Sequence, residues 1–290
     1  MTSRNESRAQ VDPALLEQFM RQQEAKYTSA PPVAPTPAPG AYSVPTDFVE
    51  LPSKGVMYPE GHPWHMKDKV EVRFMTTKEE DILTSPAYAK AGVTFDKLIE
   101  NITVDKINVD TLLIGDKNAL IVNARKNAYG SEYEFFIMCA NCIEGHELTA
   151  NLEHAEIKDL SNVTYDRNTD GTYSVKLPQS QDLINFRLFT GKDEKYMREQ
   201  QEIRKKHNLK VENVVALHRQ ALVSVNGSND ASYIEQYIQK MLIRDSRFLQ
   251  KVYQEVRPDI SIKYSFNCKE CGHKNEGGVP FGADFFWPDD

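Results

Sequence analysis

Cys139-Ala-Asn-Cys142 and Cys268-Lys-Glu-Cys271 hold the only four cysteines of the chain, in two pairs of the same spacing. Two residues between thiolates let a tight turn aim both sulfurs at one ion, and tetrahedral zinc takes four such ligands at about 2.3 Å. Glu132-Tyr-Glu-Phe-Phe-Ile-Met138 precedes the first pair and Ile260-Ser-Ile-Lys-Tyr-Ser-Phe266 the second, each predicting a strand that runs into a metal knuckle. Gly272 supplies the permissive backbone that such a turn needs. The pairs lie more than a hundred residues apart, so one shared ion requires the fold to bring distant strands together. Disulfides, a redox site and unrelated buried thiols are the competing readings. A reducing cytosol disfavours the first, and no strand-turn-helix setting supports the second. His146 and His273, just downstream of each pair, are substitute ligands. Four thiolates leave no open position for water, so the expected cofactor is a structural zinc ion held by Cys139, Cys142, Cys268 and Cys271.

Outward from the knuckles, the chain divides into three. Residues 1–27 predict an amphipathic helix, with Asp12 as N-cap, Pro13 at the first helical position, and Leu15, Leu16, Phe19 and Met20 on one face. Residues 28–45 include Ala30-Pro-Pro-Val-Ala-Pro-Thr-Pro-Ala-Pro-Gly40, an extended semi-rigid spacer. The helix reads either as a frayed tail or as an element that docks a partner. Residues 46–290 form the body.

Within the body, Val49–Leu51 and Val70–Phe74 predict strands. Thr77 and Glu80 predict a capping box that opens a helix, and Pro86 interrupts it. Helices are expected over Thr94–Ile102 and Asp110–Tyr129, the latter stopped by Gly130. Residues 152–259 read as an insert. Its hairpin joins Val163–Asp166 to Thr172–Leu177 about an Asn168–Gly171 turn, and a strand follows at Phe186–Phe189. Helices over Lys192–His207, Val211–Val225 and Ser232–Ile243 come next, then a last one capped by Asp245. The fold class is therefore α+β: a helical part, an inserted hairpin-plus-helices segment, and a split zinc ribbon over residues 139–151 and 260–281. The C-terminal Phe285, Phe286 and Trp287 either fold back as a lid on the core or anchor a neighbouring protein.

The 290 residues are 40% hydrophobic and 27% charged, which fits a folded globular chain. No apolar run is long enough to span a membrane, and the first residues lack a signal-peptide core, so a cytosolic protein is expected. A formal charge of −7 opposes general attraction to nucleic acid. The one basic cluster, Arg198 with Arg204-Lys-Lys-His207 and Lys210, is diluted by Glu199 and Glu202. A nucleic-acid-binding zinc-ribbon factor using that face is the alternative reading. Glu60, His62 and His65 lack the helical spacing of a metallopeptidase and read as a polar surface loop. Glu79, Glu80 and Asp81 suit a helix N-terminus. Gly191-Lys192 has no preceding glycine loop to cradle phosphate, and no serine sits in a nucleophile elbow. These exclusions leave a non-enzymatic protein.

Val49-Glu-Leu-Pro-Ser-Lys-Gly-Val-Met-Tyr-Pro59 and Val70-Glu-Val-Arg-Phe-Met-Thr-Thr-Lys-Glu-Glu-Asp-Ile-Leu83 resemble the opening of the baseplate hub proteins of T-even-like contractile-tailed bacteriophages. Leu113-Ile-Gly-Asp-Lys-Asn-Ala-Leu-Ile121, Ala124-Arg125, Tyr129-Gly130, the two Cys pairs and Ala283-Asp-Phe-Phe-Trp-Pro288 extend the likeness from about Val44 to the C-terminus. The resemblance implies a virion-associated or assembly-stage protein of the tail hub. Its partners would be other phage tail and hub proteins, the tape-measure protein among them. It would act in the host cytoplasm during assembly or in the tail baseplate of the virion. It carries over the metal set Cys139, Cys142, Cys268 and Cys271 and no catalytic residue.

Overall fold

The computed structural model describes residues 43–207, 213–279, 281 and 283–286. Leu15, Leu16, Phe19 and Met20, the proline spacer, Lys210 and Trp287 lie outside the described residues.

Strands β1 (Thr46–Glu50) and β2 (Lys69–Arg73) pair antiparallel, with Val49 opposite Val70. In the chain between them Glu60, Gly61 and Pro63 are exposed, as expected of a surface loop, but the stretch also turns aromatic rings inward. Tyr58 and Trp64 are buried, and the His62 ring stacks on Tyr58 at 4.1 Å, so this turn-rich stretch caps the core. Helix α1 (Thr77–Leu83) starts one residue earlier than predicted. Thr76 is the N-cap, and the Glu79 carboxylate accepts both the Thr76 N–H at 2.9 Å and its hydroxyl at 2.6 Å. That choice turns Glu79 inward and leaves Glu80 in solvent. Pro86 ends α1 by opening α2 (Pro86–Ala91) as its first residue, behind the Ser85 cap. Helix α3 (Thr94–Ile102) buries Leu98, Ile99 and Ile102.

Helix α4 (Ile114–Tyr129) begins after a separate 3-10 turn over Val109–Thr111, where Asn108 caps the backbone. It is buried nearly all round, polar residues included, so each polar group needs a partner. Asp116 accepts from the Ser53 N–H, the Ser53 hydroxyl and the Tyr58 hydroxyl at 2.6–2.9 Å. Lys117 pairs with Asp96 and with Glu194, both at 2.7 Å. The helix is thereby locked to the turn before β2, to α3, and to α5 (Gly191–Lys206). Gly191 is a packing glycine, as a Cβ there would stand 2.4 Å from the Val109 carbonyl.

Residues 152–259 rearrange the expected pairing. Strand β6 (Tyr173–Lys176) does not pair with Val163–Asp166, leaving only an Arg167–Tyr173 bridge there. It pairs with β7 (Leu183–Phe186), three residues ahead of the strand expected at Phe186–Phe189. That register sets Tyr173 against Phe186 and Val175 against Ile184, putting four buried side chains on one face. The helix expected to reach Val225 stops sooner: α6 spans Asn213–Ala221, and Leu222–Val225, with the β-branched Val223 and Val225, becomes β8, the third strand of that sheet. Helices α7 (Ala231–Lys240) and α8 (Ile243–Val256) pack Ile234, Ile238, Leu249, Val252 and Val256 into the core. Asp245 is not the cap of α8. It sits buried in the first turn and accepts the N–H groups of Gln179 and Ser180 at 2.8 and 2.9 Å, fixing the β6–β7 turn.

Hairpin β3 (Glu132–Met138) and β4 (Gly145–Asn151) precedes residues 152–259, and hairpin β10 (Lys263–Asn267) and β11 (Lys274–Gly278) follows them. A two-residue ladder, β5 (Glu156–Ile157) against β9 (Ile260–Ser261), clamps the chain where it leaves and re-enters. Phe285 and Phe286 are fully buried, so neither is a surface anchor for a partner. Phe285 meets Tyr133 edge-on at 4.8 Å, Phe286 meets Phe95 at 5.5 Å, and Arg125 donates to the Phe285 carbonyl at 3.0 Å. Among the described residues no helix is long and apolar enough to cross a membrane.

Candidate metal centre

The two hairpins meet through their inner faces. Phe135 of β3 packs on Tyr264 of β10 at 5.6 Å, and His146 of β4 on Phe266 at 4.8 Å. This contact brings both knuckles to one point. The four sulfurs lie within 4.8 Å of one another, with Cys139 Sγ 3.7 Å from Cys271 Sγ and Cys142 Sγ 3.5 Å from Cys268 Sγ. A tetrahedron with metal–sulfur bonds of ~2.3 Å has edges of about 3.8 Å, so the donor set fits one ion. All four cysteines are free, and a disulfide would need sulfurs about 2.05 Å apart. Cys139 and Cys268 are buried, Cys142 and Cys271 exposed.

The knuckles repeat one backbone pattern. The Ile143 N–H donates to the Cys139 carbonyl and the Cys139 N–H to the Glu144 carbonyl; Gly272, Cys268 and His273 repeat these bonds in the second knuckle. Cys139 thus corresponds to Cys268, Ile143 to Gly272 and His146 to Asn275. Both turns enter the left-handed region, at φ 63° for Ile143 and 69° for Gly272. Glycine holds that conformation freely, whereas a residue with a Cβ gives up roughly 1–2 kcal/mol there.

The correspondence extends to the residues behind the sulfurs. Asn275, buried, donates its amide to Cys139 Sγ at 3.4 Å and accepts the Ala140 N–H at 2.9 Å. His146 Nε2 lies 3.3 Å from Cys268 Sγ. Each hairpin therefore sends one polar side chain across to the buried sulfur of the other. His146 stands beside a complete set of four sulfurs, and His273 contributes its backbone carbonyl to the second knuckle. Asn275 carried no signal in sequence beyond its place after a Cys pair.

The electrostatics suit a cation. The N–H groups of Cys142 and Asn141 with the Asn275 amide bring the Cys139 thiol down to about 5 against burial. Cys271 is also lowered, chiefly by its hydrogen bond with Asn141. Cys142 receives a lowering bond from Glu144, but its contacts with Cys271, Cys268 and Cys139 push it up to about 12. Several thiolates at this spacing repel one another, and a divalent ion at the centre removes that repulsion.

The other sequence candidates do not converge. His62 bonds Thr111 and His65 bonds the Tyr58 carbonyl, and among the described residues the four cysteines are the one group able to hold a metal. Arg198, Arg204, Lys205 and Lys206 lie along α5 with Glu199 and Glu202 between them.

A family model described as T4 bacteriophage base plate protein matches residues 46–287. Neither the curated proteins nor the solved structures give a match.

Proposed function

Because the chain belongs to the T4 bacteriophage base plate protein family, we propose that it is a non-enzymatic scaffold of the tail hub. In this reading one zinc ion, held by Cys139, Cys142, Cys268 and Cys271, sets the geometry in which other tail components dock. The observation that carries it is the convergence of four sulfurs from two remote hairpins on a tetrahedral site. A closed thiolate set supplies rigidity rather than a reactive position, and structural zinc contributes folding free energy directly.

The neighbours in this reading are other hub proteins, with the tape-measure protein as one partner. Leu15, Leu16, Phe19 and Met20 would reach such a partner from the end of the proline spacer. Trp287, next to the buried Phe285–Phe286 pair, remains a partner-contact residue in this proposal.

Mass spectrometry of isolated base plates and of assembly intermediates tests the reading. The chain is expected in one or both, with one zinc per chain in the purified protein. Its absence from every particle and intermediate would overturn the proposal. Removing residues 1–45 is expected to leave the body folded while lowering hub assembly, and unimpaired assembly would remove the docking role of the leading segment.

A further inference from the structure

The two ribbon hairpins share a backbone plan but not an outer surface. On the outward face of β3, Phe136 and Met138 are 62% and 54% exposed, and Ile143 at the adjoining knuckle is 69% exposed. The corresponding positions in the second hairpin are Ser265, Asn267 and Gly272. The second hairpin closes its knuckle with polar residues and glycine, so the ribbon fold itself does not require the apolar set.

Ile143 is doubly unfavourable in the free protein. Its side chain stands in water, and its backbone adopts a left-handed φ of 63° that a β-branched residue resists. The knuckle turn imposes this φ, as it does on Gly272, but nothing in the turn requires an apolar side chain there. The Phe136 ring lies across Gly145, whose Cβ would stand 2.1 Å from the ring Cζ. That glycine lets the ring spread over the hairpin beside Met138, which faces Gly145 in register.

The charges on this face identify its occupant. Glu132, Glu134 and Glu147 share it with the apolar residues, and none forms an ion pair among the described residues. Residues 132–151 contain no Lys or Arg. On the second hairpin Lys263 pairs with Glu156, and Lys274 with Glu276. An acidic rim of this kind repels nucleic acid, anionic lipid and a second copy of itself, and attracts a basic surface.

We propose that the outer face of β3–β4, centred on Phe136, Met138 and Ile143, docks a neighbouring base plate protein that presents Lys or Arg around an apolar patch. The inference rests on the base plate reading above and adds the surface and the chemistry of the partner.

Photo-crosslinking from the full chain tests it. Phe136 is replaced by p-benzoylphenylalanine in cells where the phage assembles, and Ser265 is replaced likewise as the control. Position 136 is expected to crosslink one base plate protein, at a peptide with Lys or Arg beside apolar residues, and position 265 to give about tenfold less product. In the Ile143→Gly variant the isolated chain should melt at a higher temperature, while the crosslink from position 136 falls about tenfold. Crosslinking to a second copy, to an acidic partner surface, or equally from position 265 overturns the inference. So does a chain recovered in base plates with no crosslink from position 136, an outcome that leaves the scaffold reading intact. Absence of the chain from all base plates and intermediates overturns both.

Discussion

The Nδ2 of Asn275 lies 3.4 Å from the Sγ of Cys139, joining residues 136 positions apart, and its Oδ1 accepts the N–H of Ala140. One amide therefore orients a ligand sulfur and the turn that carries it. Outer groups of this kind hold ligands in place, and their loss lowers metal affinity about 10–100-fold. Asn275→Ala should weaken zinc binding by that factor in competition with a chromophoric chelator. An unchanged affinity would show that the four sulfurs orient themselves.

Removing a ligand acts more strongly. Cys268→Ser leaves three sulfurs and a hydroxyl, so zinc content and thermal stability should fall together. A strong chelator should do the same to the unaltered protein. Amide exchange should then rise first in β3, β4, β10 and β11, because only side-chain contacts such as Phe135 on Tyr264, His146 on Phe266 and the Ala140–Asn275 hydrogen bond then join the hairpins. Full stability of the chelated protein would contradict a structural ion.

The aromatic end behaves as core. Phe286 touches Phe95 and Tyr129, and Phe285 touches Tyr133 and Phe281. Phe286→Ala should lower stability by about 3–5 kcal/mol in urea unfolding, the usual range for a fully buried ring. A change below about 1 kcal/mol would mean the ring is not a core residue in solution.

His218 gives the protein an acid limit. Burial lowers its pKa from 6.5 to about 4, while its Nε2 bonds the Ser246 hydroxyl at 2.7 Å. The unfolded chain therefore takes up this proton first, so stability is full above about pH 6.5 and is lost as the pH falls towards about 4. A shift of this size corresponds to roughly 3–3.5 kcal/mol. His218→Gln, which keeps a hydrogen-bonding group, should flatten that part of the urea midpoint against pH. An identical slope in the variant would assign the acid loss to other groups.

Sequence reading found what depends on neighbours in the chain. The knuckles and their entering strands, the Thr94–Ile102 helix and, to within one residue at each end, the helix expected over Lys192–His207 follow from spacing and period. It failed where distant partners decide. Thr76, with Glu79 three residues on, fits the capping pattern as well as Thr77 with Glu80, and burial of Glu79 selects the first. Tyr173 and Val175 suit either neighbour strand until Phe186 and Ile184 offer a buried face. Leu222–Val225 continues a helical pattern, but the edge of β7 makes it a strand. Asp245 has the form of an N-cap, yet its acceptors serve Gln179 and Ser180, more than sixty residues away. For the metal site, the sulfurs were legible and Asn275 was not, because an amide reaching across two hairpins leaves no local pattern.

The two-residue ladder of Glu156–Ile157 with Ile260–Ser261 has a consequence for how the family can vary. Residues 158–259 leave and return through that clasp, so their length is uncoupled from the spacing of the knuckles outside it. Closing a chain excursion becomes costlier only logarithmically, by about 0.6 kcal/mol for each doubling. Loops within this excursion can therefore lengthen at small cost while the sulfur knot stays unchanged, whereas its strands and helices, which share the core, are held by that packing.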